Sequence, residues 1–309
     1  MNEITVRVPA TSANLGPGFD TLGLALSLYN TITIRANDNR ALDKRVVVTG
    51  EGAGILATDE SNLAYSSAQK LFALLEIECN FALEMDNEIP LSRGLGSSAA
   101  ACVGGLVAAN EWAKLRFEKA ASRDELLALA TQIEGHPDNA CACLLGGFVV
   151  SVQSDERVFA VRAVAETWPR FAVWIPDEPL PTKEARAVVP QTLSRQDAVF
   201  NISRAALLVA ALSTGDEDAL REALHDRIHQ TQRAPLIRGY DDITRTAREN
   251  GAFGATLSGA GSTILIWSPQ QSSTGNQIES AIKTLTRGAN YSGRFLWLDV
   301  DGVGASVVR

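Results

Sequence analysis

Cysteine and histidine are scarce in this chain, basic charge is outnumbered, and no apolar run is long. Four cysteines stand among 309 residues: Cys79 and Cys102 are isolated, and Cys141-Ala142-Cys143 lacks the two-residue spacer of zinc knuckles and redox dithiols. They read as buried free thiols rather than a disulfide framework or a metal site. With only three histidines and no G-x-S-x-G elbow, the serines lack the setting that nucleophilic triad chemistry requires. His225 and His229 are four apart on a predicted helix, but no H-E-x-x-H arrangement supports a metal pair. A formal charge of -8 argues against a nucleic-acid or anionic-membrane surface as main partner, so any anionic ligand must be held by local donors. The longest apolar stretch, Ala99 to Ala109, is well short of the roughly 18 to 20 residues that span a bilayer. Met1 to Ala10 alternates as a strand would and shows no signal peptide, so a cytoplasmic location is expected.

What is present is ordinary globular material: 46% hydrophobic and 21% charged, with length for about two domains. Strand-like runs occur at Ile4–Val8, Thr31–Ala36, Arg45–Thr49, Phe81–Met85 and Leu144–Val152. Helix-like runs occur at Asn62–Leu75, with Asp59 or Ser61 as its cap, at Ser97–Leu115, and at Arg123–Glu134, where Ser122 and Glu125 form a capping-box pattern. Polarity rises near residues 153–168. Beyond it the spacing predicts strands at Phe171–Ile175, Thr263–Trp267 and Phe295–Val300, with helices at Arg195–Leu212, Asp216–His229, Thr244–Asn250 and Gln277–Leu285. This mixture implies α+β layers in two domains, residues 1–160 and 161–309, rather than regular βαβ winding.

The most informative segment is Pro90-Leu-Ser-Arg-Gly-Leu-Gly-Ser-Ser-Ala-Ala-Ala101. Gly94 and Gly96 remove the Cβ atoms that keep a backbone off a polyphosphate, and Ser97 and Ser98 stand where a helix begins and its first amides lack partners. The positive end of that helix would face an anion, and Ser98 offers a hydroxyl to a metal. A tight connection with no ligand remains the plain alternative. The segment is neither a P-loop, since Ser97 stands where lysine is wanted, nor a full dinucleotide fingerprint, since Ala99 replaces the third glycine.

Three further segments carry candidate chemistry. Pro9 to Asp20 (P-A-T-S-A-N-L-G-P-G-F-D) forces a shaped loop that presents Asn14 and Asp20, a pair suited to an ammonium or hydroxyl group, or simply a loop closed by an Asx-turn. Glu134-Gly-His136-Pro-Asp138-Asn139 ends a helix, and beside a phosphate loop Glu134 has the character of a Mg²⁺ ligand. Ser258-Gly-Ala-Gly-Ser-Thr263 is either a hairpin or a second glycine loop converging on the same ligand.

In this order the four segments resemble the GHMP superfamily of small-molecule kinases, and the homoserine kinase family most closely, from Val6 to about Trp267. The resemblance implies a domain like the second domain of ribosomal protein S5, then a ferredoxin-like domain, with ATP and substrate in the cleft. It implies that Pro90, Leu91, Ser92, Arg93, Gly94, Leu95, Gly96, Ser97, Ser98, Ala99 and Ala100 wrap the ATP phosphates and that Asn62 lies on the adenine side. It gives Ser98 and Glu134 to Mg²⁺, and Asn14, Asp20, His136, Asn139, Arg186 and Arg233 to L-homoserine. Two arginines suit a carboxylate and an acidic group suits an ammonium. Asn139 and Asn14 orient the hydroxyl, with Glu134 as the third catalytic residue and Asp138 supporting the loop.

The implied reaction is ATP-dependent phosphorylation of the homoserine side chain in threonine biosynthesis. A different acceptor alcohol (threonine, mevalonate or shikimate) and a non-catalytic nucleotide-binding module are the rivals. The resemblance leaves room for a homodimer without fixing the oligomeric state. The chain departs from the pattern at Ala142 and Ser262, where the family often has proline, at Gln232 in place of an aromatic, and at Arg238 where proline is common. These bear on loop rigidity rather than on a presumed ligand.

Overall fold

The computed structural model describes residues 3–36, 45–155, 157–165 and 167–308. The expected strand from Met1 to Ala10 therefore lies partly outside the described residues. Along the first half run β1 (Glu3–Ala13), β2 (Leu22–Ala36), β3 (Val46–Gly50), α1 (Leu63–Leu74), β4 (Phe81–Asn87), α2 (Ser97–Phe117), α3 (Arg123–Glu134), α4 (Pro137–Leu145), β5 (Phe148–Ser154) and β6 (Arg157–Ala163). The second half contains β7 (Arg170–Pro176), α5 (Thr182–Ala187), α6 (Arg195–Thr214), α7 (Glu217–Ala223), α8 (Gln230–Arg233), α9 (Tyr240–Glu249), β8 (Gly254–Leu257), β9 (Ile264–Ser268), α10 (Ser272–Arg287), β10 (Gly293–Leu298) and β11 (Ser306–Val307).

Two sheets result, as the α+β reading expects. The first has the order β11-β1-β2-β4-β3, with β5 bridging β2 and β6. Its pairings are antiparallel except β3 with β4. The second is an antiparallel sheet of order β10-β7-β9-β8. The 160/161 division falls inside β6, and the chain end returns to the first sheet, where Val307 pairs with Val6.

Alternating apolar residues on β1 and β2 (Val6, Val8, Ile32, Ile34) put one face of the first sheet into the core, with Leu83 of β4 and Leu106 and Trp112 of α2 against them. Buried positions surround α2 on nearly every side, from Ala99 through Ala113, so it is a central helix rather than an amphipathic surface one. Packing on nearly every side restrains it. Its N-terminus, and the glycine loop before it, are thereby held in place.

Several local expectations need correction. Neither Asp59 nor Ser61 caps α1: Asn62 does, its side-chain oxygen accepting from the amides of Ala64 and Tyr65. The capping box of Ser122 and Glu125 is present. The run Asp216–His229 is not one helix but ends at Ala223, because the Asp226 carboxylate takes the amides of Ile228, His229 and Gln230 and starts α8 afresh. Leu144–Val152 is not one strand either, since α4 runs to Leu145 and β5 begins at Phe148. Among the described helices, α6 is long and apolar enough by length and composition to cross a membrane, which a search for continuous apolar runs overlooks. Its Leu208, Ala211 and Leu212 are buried, and Asn201 donates to Pro17 O and to Asp226.

Candidate active site

The first glycine loop reaches α2 through three left-handed residues, Ser92 (φ 53°), Gly94 (φ 76°) and Gly96 (φ 70°), the last being the N-cap. A Cβ on Gly94 would lie 2.2 Å from Ser258 O, and one on Gly96 would lie 2.0 Å from the Thr11 hydroxyl. The loop is pinned from both sheets. Thr11 N donates to Leu95 O at 3.0 Å, Thr263 N to Arg93 O at 3.0 Å, and Ser258 Oγ to Gly94 O at 2.7 Å. The second glycine loop is thus a buttress of the first, and Gly259 and Ala260 also reach the cavity between them.

That cavity measures about 150 Å³. Ser92, Gly94, Gly96, Ser97, Ser98 and Ala99 face it on one wall. Arg93 also touches it, but its guanidinium is spent on the carbonyls of Pro176, Leu91 and Asp177, so it clamps the loop to the end of β7 instead of meeting a ligand. Pro90, Leu91, Leu95 and Ala100 do not line it, and Leu95 and Ala100 are fully buried. Nor does Asn62: its oxygen caps α1, and its amide donates to Ala57 O at 2.9 Å.

At the α2 terminus Ser98 Oγ donates to Glu134 Oε1 at 2.7 Å. Burial pushes the Glu134 carboxyl above its ordinary value, against the smaller opposing effects of the Ser98 hydrogen bond and the His136 charge. Two hard oxygens beside a helix N-terminus, one a carboxylate that makes no ion pair among the described residues, fit a Mg²⁺ ion.

After Gly135 the chain turns into α4, which the sequence reading missed although Pro137 at its first position and Asp138 in its first turn are start signals. Asp138 is 1% exposed. Its Oδ1 receives His136 Nδ1 at 2.6 Å and the Asn139 amide at 2.8 Å. Burial alone would lower the His136 pKa, but the hydrogen bond and charge of Asp138 outweigh it and raise the value above the ordinary one. Asn139 Oδ1 accepts from Thr11 Oγ1 at 2.8 Å.

The opposite wall carries charge. Asp20, in the left-handed region (φ 52°), accepts two hydrogen bonds from Arg186, Nη2 to Oδ1 at 2.8 Å and Nη1 to Oδ2 at 3.1 Å. Arg233 is 1% exposed, and burial together with the Arg186 charge pulls its pKa down to about 10. Phe19 lies between these guanidiniums, its ring centroid 5.8 Å from Arg186 Cζ and 5.4 Å from Arg233 Cζ. Asn14 reaches the cavity wall but its amide is occupied, donating to Gly259 O at 2.8 Å and accepting the Asp20 N–H at 3.0 Å. Asn14 therefore fixes the loop that aims Asp20. Thr11, Phe19 and Ser258 support the cavity without lining it and sit inside motifs already singled out, whereas Thr182 lines it and had no such signal.

Asp20, His136 and Asp138 also group closely enough to suggest a cation site. Arg186 already neutralises Asp20, and His136 already holds Asp138, so Ser98 with Glu134 is the better oxygen pair.

Residues 62–147 match the family described as GHMP kinases N terminal domain, and residues 208–285 match GHMP kinases C terminal. The chain is 41% identical over 308 residues to a homoserine kinase of Desulfitobacterium hafniense, covering 99% of this chain and 100% of that one. It is 40% identical to the homoserine kinase of Crocosphaera subtropica, covering 99% and 98%. Among solved structures, the homoserine kinase of Cytophaga hutchinsonii superposes with a TM-score of 0.88 at 30% identity, over 100% of this chain and 98% of that one. The mevalonate kinase of L. major shares the fold at TM-score 0.70 and 16% identity, over 96% of each chain. The chain belongs to the GHMP kinase superfamily and, within it, to the homoserine kinase family.

Proposed function

We propose that this chain transfers the γ-phosphoryl group of ATP to the side-chain hydroxyl of L-homoserine, giving O-phospho-L-homoserine, a step of threonine biosynthesis. The observation that carries the reading is the single cavity in which the α2 N-terminus faces Asp20, Arg186 and Arg233. A phosphate end and an α-amino-acid end meet there. Mevalonate and shikimate carry a carboxylate but no ammonium, so drawing Arg186 away from Asp20 would leave that carboxylate with no replacement cation.

The amides at the start of α2 and the backbone of Gly94–Gly96 receive the β- and γ-phosphates. Ser98 and Glu134 are the residues that would hold Mg²⁺, which neutralises the charge on the phosphates when bound. Arg233 and Arg186 take the substrate carboxylate and Asp20 its ammonium. Asn139 orients the hydroxyl, seated by Thr11 and by the loop that Asp138 supports; Asn14 acts through that wall rather than by direct contact. The proton of the hydroxyl passes to the transferring phosphate, since a loose transition state needs little activation of its nucleophile. Positioning and charge stabilisation supply the rate.

The N-terminal ATP-binding domain is assigned to residues 1–160 and the ferredoxin-like domain to residues 161–309, with β6 crossing that division and β11 returning to the first sheet. A cytoplasmic enzyme without nucleic-acid or membrane partners accords with the -8 charge. A coupled assay of ADP release over L-homoserine, L-threonine, L-serine, mevalonate and shikimate tests the reading. The highest kcat/KM belongs to homoserine, and a preference for mevalonate or shikimate would refute the substrate assignment.

A further inference from the structure

Arg233 is buried, so its aim depends on what its nitrogens meet inside the protein. Nε donates to Ala185 O at 2.9 Å and Nη1 to Gly259 O at 3.1 Å. The remaining internal partner is a side chain. His229, fully buried one turn earlier, places Nδ1 3.2 Å from Arg233 Nη1.

The chemistry of its two neighbours leaves this imidazole one arrangement. Nε2 lies 2.8 Å from Gly16 O, and a carbonyl only accepts, so Nε2 carries the hydrogen. A guanidinium only donates, so Nδ1 presents its lone pair to Arg233. Asp226 Oδ2 is 3.7 Å from Nε2, beyond hydrogen-bond reach, and that carboxylate is filled by the amides of Ile228, His229 and Gln230 and by Asn201 Nδ2. Protonating the ring would turn Nδ1 into a donor facing a donor. Phe19 closes the pocket, with ring centroids 5.4 Å apart.

We propose that His229 is a positioning residue, locked as the neutral Nε2–H tautomer, that aims the Arg233 guanidinium into the acceptor cavity and ties it to the 14–20 loop through Gly16. The proposal rests on Arg233 as a ligand of the acceptor carboxylate. The contact also explains why a histidine sits here. The residue must accept from a cation on one side and donate to a carbonyl on the other while excluding water, and the neutral imidazole does this from its two ring nitrogens. The charges facing the ring are Asp226 from the turn before α8, Arg233 from α8 and Asp20 from the acceptor loop. The carboxylates favour its protonation, while burial, the largest effect, and Arg233 oppose it.

Two measurements test this. In the intact wild-type enzyme, a ¹⁵N-detected histidine spectrum must resolve only three rings. His229 is expected to show the neutral Nε2–H pattern without change across about pH 6 to 8, whereas an Nδ1–H pattern or a titration in that range overturns the proposal. The second measurement compares His229→Asn, whose side chain places an acceptor near the Nδ1 position, with His229→Gln, which reaches the Nε2 position and serves Gly16 instead. His229→Gln should raise KM for L-homoserine by about ten- to a hundredfold with KM for ATP within about twofold, and His229→Asn should restore most of that loss. Equal effects of the two variants, or equal effects on both substrates, overturn it. If neither variant folds, the wild-type spectrum alone decides. Arg233→Ala separates the two readings: an unchanged KM for homoserine refutes Arg233 as a ligand, while a raised KM with a harmless His229→Gln refutes only the role of His229.

Discussion

Arg186 and Asp20 hold each other on one wall of the cavity by a two-point ion pair of 2.8 and 3.1 Å. Arg233, its Cζ 5.4 Å from the Phe19 ring centroid, has no carboxylate within salt-bridge distance among the described residues, where it meets the carbonyls of Ala185 and Gly259 and the ring of His229. The two arginines are therefore unequal. On the proposed reading, bound homoserine would exchange one internal pair at the half-exposed Arg186 for external ones and would give buried Arg233 a direct counter-charge.

That asymmetry sets the order of two substitutions. Arg233→Ala should raise KM for homoserine by a factor equivalent to roughly 2 to 5 kcal/mol, because the substrate carboxylate is then desolvated without a partner. Arg186→Ala should cost less, since solvent reaches that pair. Steady-state kinetics in both substrates check this, and an ATP KM that rises as much as the homoserine KM would assign both arginines a structural role.

Glu134→Gln should lower kcat by orders of magnitude while the fold survives. The amide oxygen still accepts from Ser98, and a desolvated carboxyl group is replaced by a neutral one, so stability is maintained. What is lost is the charge that, on the proposed reading, would hold Mg²⁺ beside the phosphates. Near-normal turnover at ordinary Mg²⁺ would sink the metal assignment.

The pH dependence follows from His136. Its folded pKa is raised, so the pair with Asp138 contributes stability that is complete below the unfolded value of about 6.5 and disappears as pH rises through the folded value. An NMR titration of His136 should give a midpoint above about 6.5, and denaturant unfolding should show stability falling through that window. A midpoint at or below it contradicts the pairing.

Gly96→Ala should destabilise the chain more than Gly54→Ala. Both glycines have positive φ, 70° and 76°, so both substitutions carry the left-handed penalty of about 1 to 2 kcal/mol. Only at Gly96 does the new Cβ meet an atom, Thr11 Oγ1, whereas nothing lies within 4 Å of one at Gly54. Equal melting temperatures for the two variants would show that the loop yields freely.

The ligand-facing loops are legible in the sequence because glycine, asparagine and proline announce unusual backbone directly, and α2 because its start and its apolar length agree. Other features needed tertiary contacts to appear. Leu220, Leu224 and Ile228 continue a helical spacing across the break after Ala223, and the break is made by one carboxylate, Asp226, collecting three amides. The residues of α4 after Pro137 mix turn formers with short apolar residues that suit strand or helix alike. Asn62 looks the same in sequence as a cap or as a ligand contact; its hydrogen bonds make it a cap. The burial of Arg233 and the pairing of Arg186 with Asp20 join segments far apart in the chain and have no local signature.

Asp138 is the remaining question of mechanism, as a cavity-lining carboxylate next to Asn139. Its Oδ1 is engaged by His136 and by the Asn139 amide, which is the arrangement of a support, while the residue lines the cavity and its Oδ2 receives no hydrogen bond among the described residues, so Asp138→Asn decides between support and base. A base would need an oxygen within reach of the hydroxyl and a proton-accepting state kept open for it. Asp138→Asn still offers an oxygen to the Asn139 amide and loses only the charge that holds His136 protonated. It should keep more than about a tenth of kcat, whereas loss of a general base typically costs about 10² to 10⁴-fold. The same variant should bring the His136 midpoint down, which confirms that the intended contact was altered. A fall of kcat in the larger range, with melting temperature and ATP binding unchanged, would make Asp138 the base and overturn proton transfer to the phosphate.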